Sequence, residues 1–310
     1  MNKLRILLTG GGGMVGSNLL EHSSIGEFDV LAPNRRELDL YDFCALKDYL
    51  LSNKPDFVIH AAGKVGGIQA NIREPVSFFL ENLELGRNII LATHQAGIRR
   101  LLNLGSSCMY PRNHLEPLRE EMLLNGELEP TNEGYALAKV FTERLCKYLT
   151  CEDSNLQYKT LIPCNLFGRY DKFDAANSHL IPAIISKVHW AMLNGHSSVE
   201  IWGDGTARRE FMYSGDMADA LVNAIKHFDT VPSIMNLGIG YDFTINEYYS
   251  AVAEVLGFTG TFTHDLSKPV GMDRKLVSIE RQKIWGWMPT HSLQDGIAKT
   301  YEFFLKDYRV

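Results

Sequence analysis

Tyr135 and Lys139 stand four residues apart in Tyr135-Ala136-Leu137-Ala138-Lys139, within a stretch of helical periodicity over 132–149, so both side chains fall on one helix face. A phenol exchanges protons poorly near neutral pH; a neighbouring ammonium favours its phenolate and brings it toward the working range. Upstream, Gly105-Ser106-Ser107-Cys108-Met109-Tyr110-Pro111 follows an apolar run. It offers the Ser106 hydroxyl at the carboxyl end of a strand, where open α/β sheets hold their ligands. A Tyr-x-x-x-Lys pair alone is common on solvated helices. Joined to Ser106 and to the glycine loop, it points to general acid–base work.

That loop is Thr9-Gly10-Gly11-Gly12-Gly13-Met14-Val15-Gly16, placed between the first apolar run and the first helical stretch. Gly10, Gly13 and Gly16 let the chain turn tightly, bring backbone N–H groups to a pyrophosphate and pack the helix close to the sheet. The second strand ends in Ala32-Pro33-Asn34-Arg35-Arg36-Glu37-Leu38-Asp39. An acidic residue at the strand tip would accept from a ribose 2′-OH. Arg35 and Arg36 instead offer cations to a 2′-phosphate, which selects NADP; a solvated charged turn is the plainer alternative.

Positioning these residues requires a scaffold. Apolar runs at 4–9, 28–32, 57–61 and 100–104 alternate with helical spacing at 18–22, 40–52 and 76–96, and a further strand is expected at 158–166. The fold class is α/β: a Rossmann-type doubly wound parallel sheet with a smaller mixed α/β substrate domain. After Gly168 the loops lengthen, at 169–178, 203–208 and 267–274. The expected division is a cofactor domain over 1–167, joined by about 212–242, and a second domain over 168–310.

The chain has 310 residues, 45% hydrophobic and 22% charged, which excludes disordered, collagen-like and coiled-coil classes. No apolar run approaches the roughly 18 residues needed to cross a bilayer. The apolar stretch after the basic start is too short for a signal peptide. A net charge of −6 without a basic stripe argues against nucleic acid. Five cysteines without a C-x-x-C pair suit a reducing cytoplasm and leave no disulfide framework or zinc site.

On Ser106, Tyr135, Lys139 and the glycine loop, the chain resembles the extended short-chain dehydrogenase/reductase family. Within it, the closer resemblance is to the GDP-L-fucose synthase family of bifunctional NADPH-dependent epimerase–reductases. It covers nearly the whole chain, through residues 10–16, Ala62-Gly63-Lys64-Val65-Gly66-Gly67-Ile68, residues 105–111, Glu129-Pro130-Thr131-Asn132-Glu133, residues 135–139, Asn177-Ser178-His179, Ile201-Trp202-Gly203 and Arg208-Arg209-Glu210-Phe211.

The resemblance implies a Ser106–Tyr135–Lys139 triad for reduction and a Cys108–His179 couple for epimerisation. Protons beside a C4 ketone are acidic because their loss gives an enolate, and a thiolate with an imidazolium could remove one and return another. Ser106 and Tyr135 would hold the enolate oxygen. The implied cofactor shell is Gly10, Gly13, Met14, Val15, Gly16, Arg35, Arg36, Asp39, Leu40, Ala62, Lys139 and His179. The implied substrate contacts are Lys187, Trp202, Arg209 and Lys275, with Asn165 near the sugar; Arg208 could exchange with Arg209. Lys187 stands where relatives have Arg. The implied partners are a GDP-4-keto-6-deoxy sugar and a second copy of the chain, paired through helices 76–96 and 132–149.

Two departures qualify the likeness. Arg169-Tyr170-Asp171-Lys172-Phe173 replaces Pro-His-Asp-Asn-Phe beside the sugar site, and Gly12 replaces an Arg of some bacterial relatives, which moves NADP preference onto Arg35 and Arg36. The expected reaction is conversion of GDP-4-keto-6-deoxymannose to GDP-L-fucose. GDP-L-colitose synthesis, with inversion at C5 alone, and C4 reduction of a GDP-4-keto-6-deoxyheptose are the alternatives within the family. A non-catalytic NADP-binding regulator is the alternative outside it, against which the intact catalytic set argues.

Overall fold

The computed structural model describes residues 3–174, 178–268 and 272–307, so Asn177 of the Asn-Ser-His string lies outside the described residues. The first half supplies β1 (Arg5–Thr9), α1 (Met14–Leu20), β2 (Asp29–Leu31), α2 (Phe43–Asn53), β3 (Phe57–His60), α3 (Ile68–Arg73), α4 (Pro75–Gln95), β4 (Arg100–Leu104), α5 (Glu133–Glu152) and β5 (Gln157–Pro163). The second half continues with β6 (Asn165–Phe167), α6 (Leu180–Leu193), β7 (Ser198–Trp202), β8 (Arg208–Arg209), β9 (Phe211–Tyr213), α7 (Ser214–Lys226) and β10 (Ile234–Leu237). It closes with β11 (Phe243–Thr244), α8 (Ile245–Leu256), β12 (Thr261–Asp265), β13 (Arg274–Lys275), α9 (Glu280–Trp285) and α10 (Leu293–Asp307).

The main sheet runs β10-β5-β4-β3-β1-β2 and is parallel throughout, the doubly wound sheet expected from the sequence. Pleating sends Ile6 and Leu8 of β1 into one core with Leu19 of α1 and Met217 and Leu221 of α7. Leu7 goes to the other face, with Leu46 and Leu50 of α2 and Ile89 and Ile90 of α4. Burial on both faces explains why these strands read as unbroken apolar runs, each large aliphatic contributing ~1.5–3 kcal/mol. Strand order reverses between β1 and β3, and at such a switch point the carboxyl ends of the strands open a crevice.

Three differences from the sequence-based expectation have a local cause. Helix α1 begins at Met14 rather than 18, because Gly13 is already its extended N-cap. Helix α2 begins at Phe43 rather than 40, because the Asp42 carboxylate caps it by accepting from Ala45 N at 3.0 Å. The strand expected at 158–166 is two: β5 pairs with β4 and β10, whereas β6 leaves the sheet and pairs with β9. Pro163, which lacks an N–H, marks the divergence.

A separate core of Phe167, Ile181, Ile184, Tyr248, Val252 and Ile297 joins α6, α8 and α10. Against it lie the small sheets β7–β12 and β11-β8-β13. Among the described residues no helix is long and apolar enough to cross a membrane.

His60 ends β3 fully buried, its Nδ1 2.9 Å from Thr9 Oγ1. Burial, and secondarily the Lys139 ammonium, push its pKa from 6.5 down to about 3. The unfolded chain therefore takes up a proton that the folded chain refuses, so this stability is present above pH 6.5 and lost as pH falls toward 3. Unfolding by denaturant at pH 7 and pH 4 is expected to show His60→Gln losing about 3 kcal/mol less between the two than the parent. Equal losses would refute it.

Candidate active site

The glycine loop sits at the switch point, against the segment that follows β3. Gly10 adopts φ +77°, and a Cβ there would lie 2.6 Å from Ala62 N; one on Gly16 would lie 2.2 Å from Gly10 O. Neither position admits a side chain, whereas Gly13 borders open space apart from Gly10 O at 3.4 Å. Met14 and Val15 open α1 from this loop. Beyond β2, Asn34 Oδ1 accepts from Arg36 N at 2.8 Å and fixes the turn that presents Arg35 and Arg36 to solvent. Among the described residues neither guanidinium has an ion-pair partner. Asp39 Oδ1 is engaged by Tyr41 N at 2.9 Å, Leu40 O accepts from Asn88, and Ala62 N reaches Thr9 Oγ1 at 3.4 Å.

After β4 the chain makes one 3₁₀ turn, Ser107–Met109, with Ser106 as its cap: Ser106 Oγ accepts from Cys108 N at 3.3 Å. The turn thereby presents Ser106 and Cys108 side by side. Tyr135, in the first turn of α5, brings its phenol near enough to Ser106 and Cys108 for both to act on it. One turn on, buried Lys139 donates to Leu104 O at 2.9 Å, and burial pushes it down to about 8.

The expected phenolate is corrected here. Burial, and then Cys108, push Tyr135 well above the ordinary tyrosine range, and Ser106 offsets this only in part. Lys139 is turned to a carbonyl, so the resting phenol keeps its proton.

Cys108 Sγ accepts from Asn132 Nδ2 at 3.1 Å and from Lys275 Nζ at 3.3 Å. His179 is the residue immediately before α6. His179 is half-buried, and burial, then Lys172 and Lys275, push it down to about 4. The expected imidazolium is therefore also corrected: this environment favours the neutral ring. Lys275 nonetheless ties the two residues together, because it bonds the sulfur and acts electrostatically on the imidazole. Lys172, from the segment that departs from the family pattern, donates to Val65 O at 3.1 Å.

The remaining cations are sorted by strand register. Arg208 pairs with Arg274 and Arg209 with Lys275 across β8 and β13. Arg208 and Arg274 both close on the carboxylate of Asp242, at 2.7 and 2.5 Å. Alternation sends Arg209 and Lys275 the other way. Arg208 is thus committed to structure, and Arg209 is the residue left beside Lys275; its Nη1 donates to Arg208 O at 2.8 Å, and burial lowers its pKa. Asn165 Nδ2 donates to Glu210 O at 2.9 Å. Lys187 and Trp202 form a separate pair, the ammonium 5.2 Å from the ring centroid, with Lys268 at 5.6 Å from the same ring. Sequence reasoning missed Asn132 at the sulfur, although it lies in the Glu-Pro-Thr-Asn-Glu string, and Asp242 as the clamp.

Residues 6–238 match the model of the NAD dependent epimerase/dehydratase family, and the chain belongs to that family. It is 52% identical over 304 residues to GDP-L-colitose synthase of Yersinia pseudotuberculosis, covering 98% of this chain and 99% of that one. It is 46% identical over 301 residues to GDP-L-fucose synthase of Azorhizobium caulinodans, covering 97% and 96%. Among solved structures, GDP-L-fucose synthetase from Naegleria fowleri bound to NADP superposes with a TM-score of 0.89 at 26% identity, covering 100% of this chain and 95% of that one. The resemblance read from the motifs is borne out.

Proposed function

We propose that this chain is an NADPH-dependent epimerase–reductase of GDP-4-keto-6-deoxy sugars, converting GDP-4-keto-6-deoxy-D-mannose to GDP-L-fucose. The observation that carries this reading is the convergence of Ser106 and Cys108, on one turn after β4, with Tyr135, whose phenol both of them act on. The relatives named as GDP-sugar synthases support it.

The crowded positions at Gly10 and Gly16, the open space at Gly13 and the unpaired Arg35 and Arg36 fit a phosphorylated dinucleotide. Met14, Val15, Asp39, Leu40, Ala62, Lys139 and His179 complete the proposed shell. NADPH, when bound, supplies the hydride for the C4 ketone. Cys108 takes a proton from the carbon beside C4, and the C–H electron pair moves onto the C4 oxygen as an enolate. Ser106 and Tyr135 stabilise that oxygen by hydrogen bonding. His179 returns a proton on the opposite face. For this step His179 takes up a proton once substrate is bound, against the burial that favours the neutral ring in the resting site. In the reducing step Tyr135 gives its proton to the C4 oxygen. Arg209 and Lys187 serve the diphosphate, Trp202 the base and Asn165 the sugar.

A second reading is favoured by one finding, the 52% identical colitose synthase: inversion at C5 alone and reduction of the 3,6-dideoxy ketone. Incubation with NADPH and each ketone in heavy water separates the two. Deuterium at both C3 and C5 with release of GDP-L-fucose supports the first. Preference for the dideoxy ketone, with deuterium at C5 only, supports the second. A shift in thermal stability without NADPH oxidation by either ketone would overturn both in favour of a regulator.

We assign residues 1–167 and about 212–242 to cofactor binding and the rest of 168–310 to the GDP-sugar. The pairing of β10 with β5 and the packing of α7 against α1 support this division. A homodimer is supported by apolar side chains left exposed along α4 (Val76, Leu80) and α5 (Leu137, Phe141, Tyr148). Cytoplasmic placement is supported by five free cysteines.

A further inference from the structure

We propose that Lys275 belongs to the proton-transfer couple rather than to the diphosphate contacts: its ammonium holds the Cys108 sulfur as the thiolate that takes the proton beside C4. This rests on the epimerase–reductase reading and adds a residue to it. Two N–H groups converge on the sulfur from different elements, Lys275 Nζ at 3.3 Å from β13 and Asn132 Nδ2 at 3.1 Å from the residue before α5. Hydrogen bonds and positive charge both favour a thiolate over a thiol.

The cation is delivered by the backbone. Lys275 O accepts from Glu210 N at 3.2 Å, and Val277 N donates to Glu210 Oε2 at 2.9 Å, so buried Glu210 fastens the chain at the lysine and two residues beyond it. Asp242 holds the preceding Arg274, and alternation then leaves Lys275 pointing to the sulfur. Among the described residues no carboxylate forms an ion pair with Lys275. Its charge is therefore not spent elsewhere. Tyr135 of α5, on which the sulfur acts, and His179 before α6, on which Lys275 and Lys172 act, are both pushed toward their neutral forms, and Arg209 stands beside Lys275 across β8.

The test follows alkylation of the free enzyme by iodoacetamide across pH, with the peptide holding Cys108 quantified by mass spectrometry and Cys44 and Cys151, both exposed, as internal controls. In Lys275→Met, alkylation of Cys108 at pH 7 is expected to fall about tenfold, while that of Cys44 and Cys151 stays unchanged. Deuterium exchange should fall with it, whereas the affinity for GDP should stay within about threefold. Lys275→Arg should restore most of the alkylation, which a merely structural loss would not allow. Unchanged alkylation of Cys108 together with a large loss of GDP affinity would return Lys275 to the diphosphate and overturn the proposal. The readout needs no sugar substrate. If the parent enzyme exchanges deuterium into neither ketone, the functional reading fails while the sulfur–ammonium pairing is still decided.

Discussion

Tyr135→Phe is expected to slow C4 reduction about a thousandfold, read as NADPH oxidation at saturating ketone, with NADPH and GDP affinities nearly unchanged. The resting phenol already carries the proton that the step consumes, because burial holds it far above neutrality. Ser106 orients it from the turn after β4. Lys139 is bound to Leu104 O, and Cys108 lies on the opposite errand of accepting protons. Removing one oxygen keeps the ring and its packing, so the loss is confined to the proton and to one donor at the C4 oxygen. Exchange beside C4 should fall less, since Ser106 remains to hold the enolate. Reduction within about tenfold of the parent would remove Tyr135 as the acid.

The parts of this site that were legible beforehand are those whose physics is local. Gly10 and Gly16 are dictated by atoms a few residues away or on the adjoining strand, and the Tyr135–Lys139 spacing is a property of one helix. Cys108 and His179 came only from resemblance, because a thiol on a turn after β4 and an imidazole before α6 share no periodic signal. The Lys275–Cys108 contact spans 167 residues of sequence and depends on β13, a strand of two residues that leaves no alternation to read. Helix α3, six residues long, escaped for the same reason.

Charge states were the least legible. An ammonium four residues from a phenol suggested a phenolate, and the resemblance implied an imidazolium at His179. Burial, a tertiary property, reversed both. Arg208 and Arg209 were interchangeable as neighbours in sequence, and only the buried Asp242 and the alternation of β8 separate them.

Cys108→Ser carries the second large effect. Serine keeps the shape of the side chain and a hydrogen-bonding atom for Asn132 and Lys275, but its hydroxyl does not ionise near neutral pH as a thiol does. Deuterium incorporation beside the C4 ketone is expected to fall at least a hundredfold, about the smaller end of what a positioned base contributes. Reduction should be spared when the sugar is supplied already inverted, because Tyr135, Ser106 and Lys139 remain in place. The comparison isolates the sulfur: one assay follows exchange in heavy water, the other NADPH oxidation with the pre-inverted ketone. A fall of the same size in both would mean that Cys108 supports the turn after β4 rather than moving a proton. Selective loss of exchange fixes the sulfur as the group that takes the proton from carbon, because Tyr135, Ser106 and Lys139 still carry the reduction.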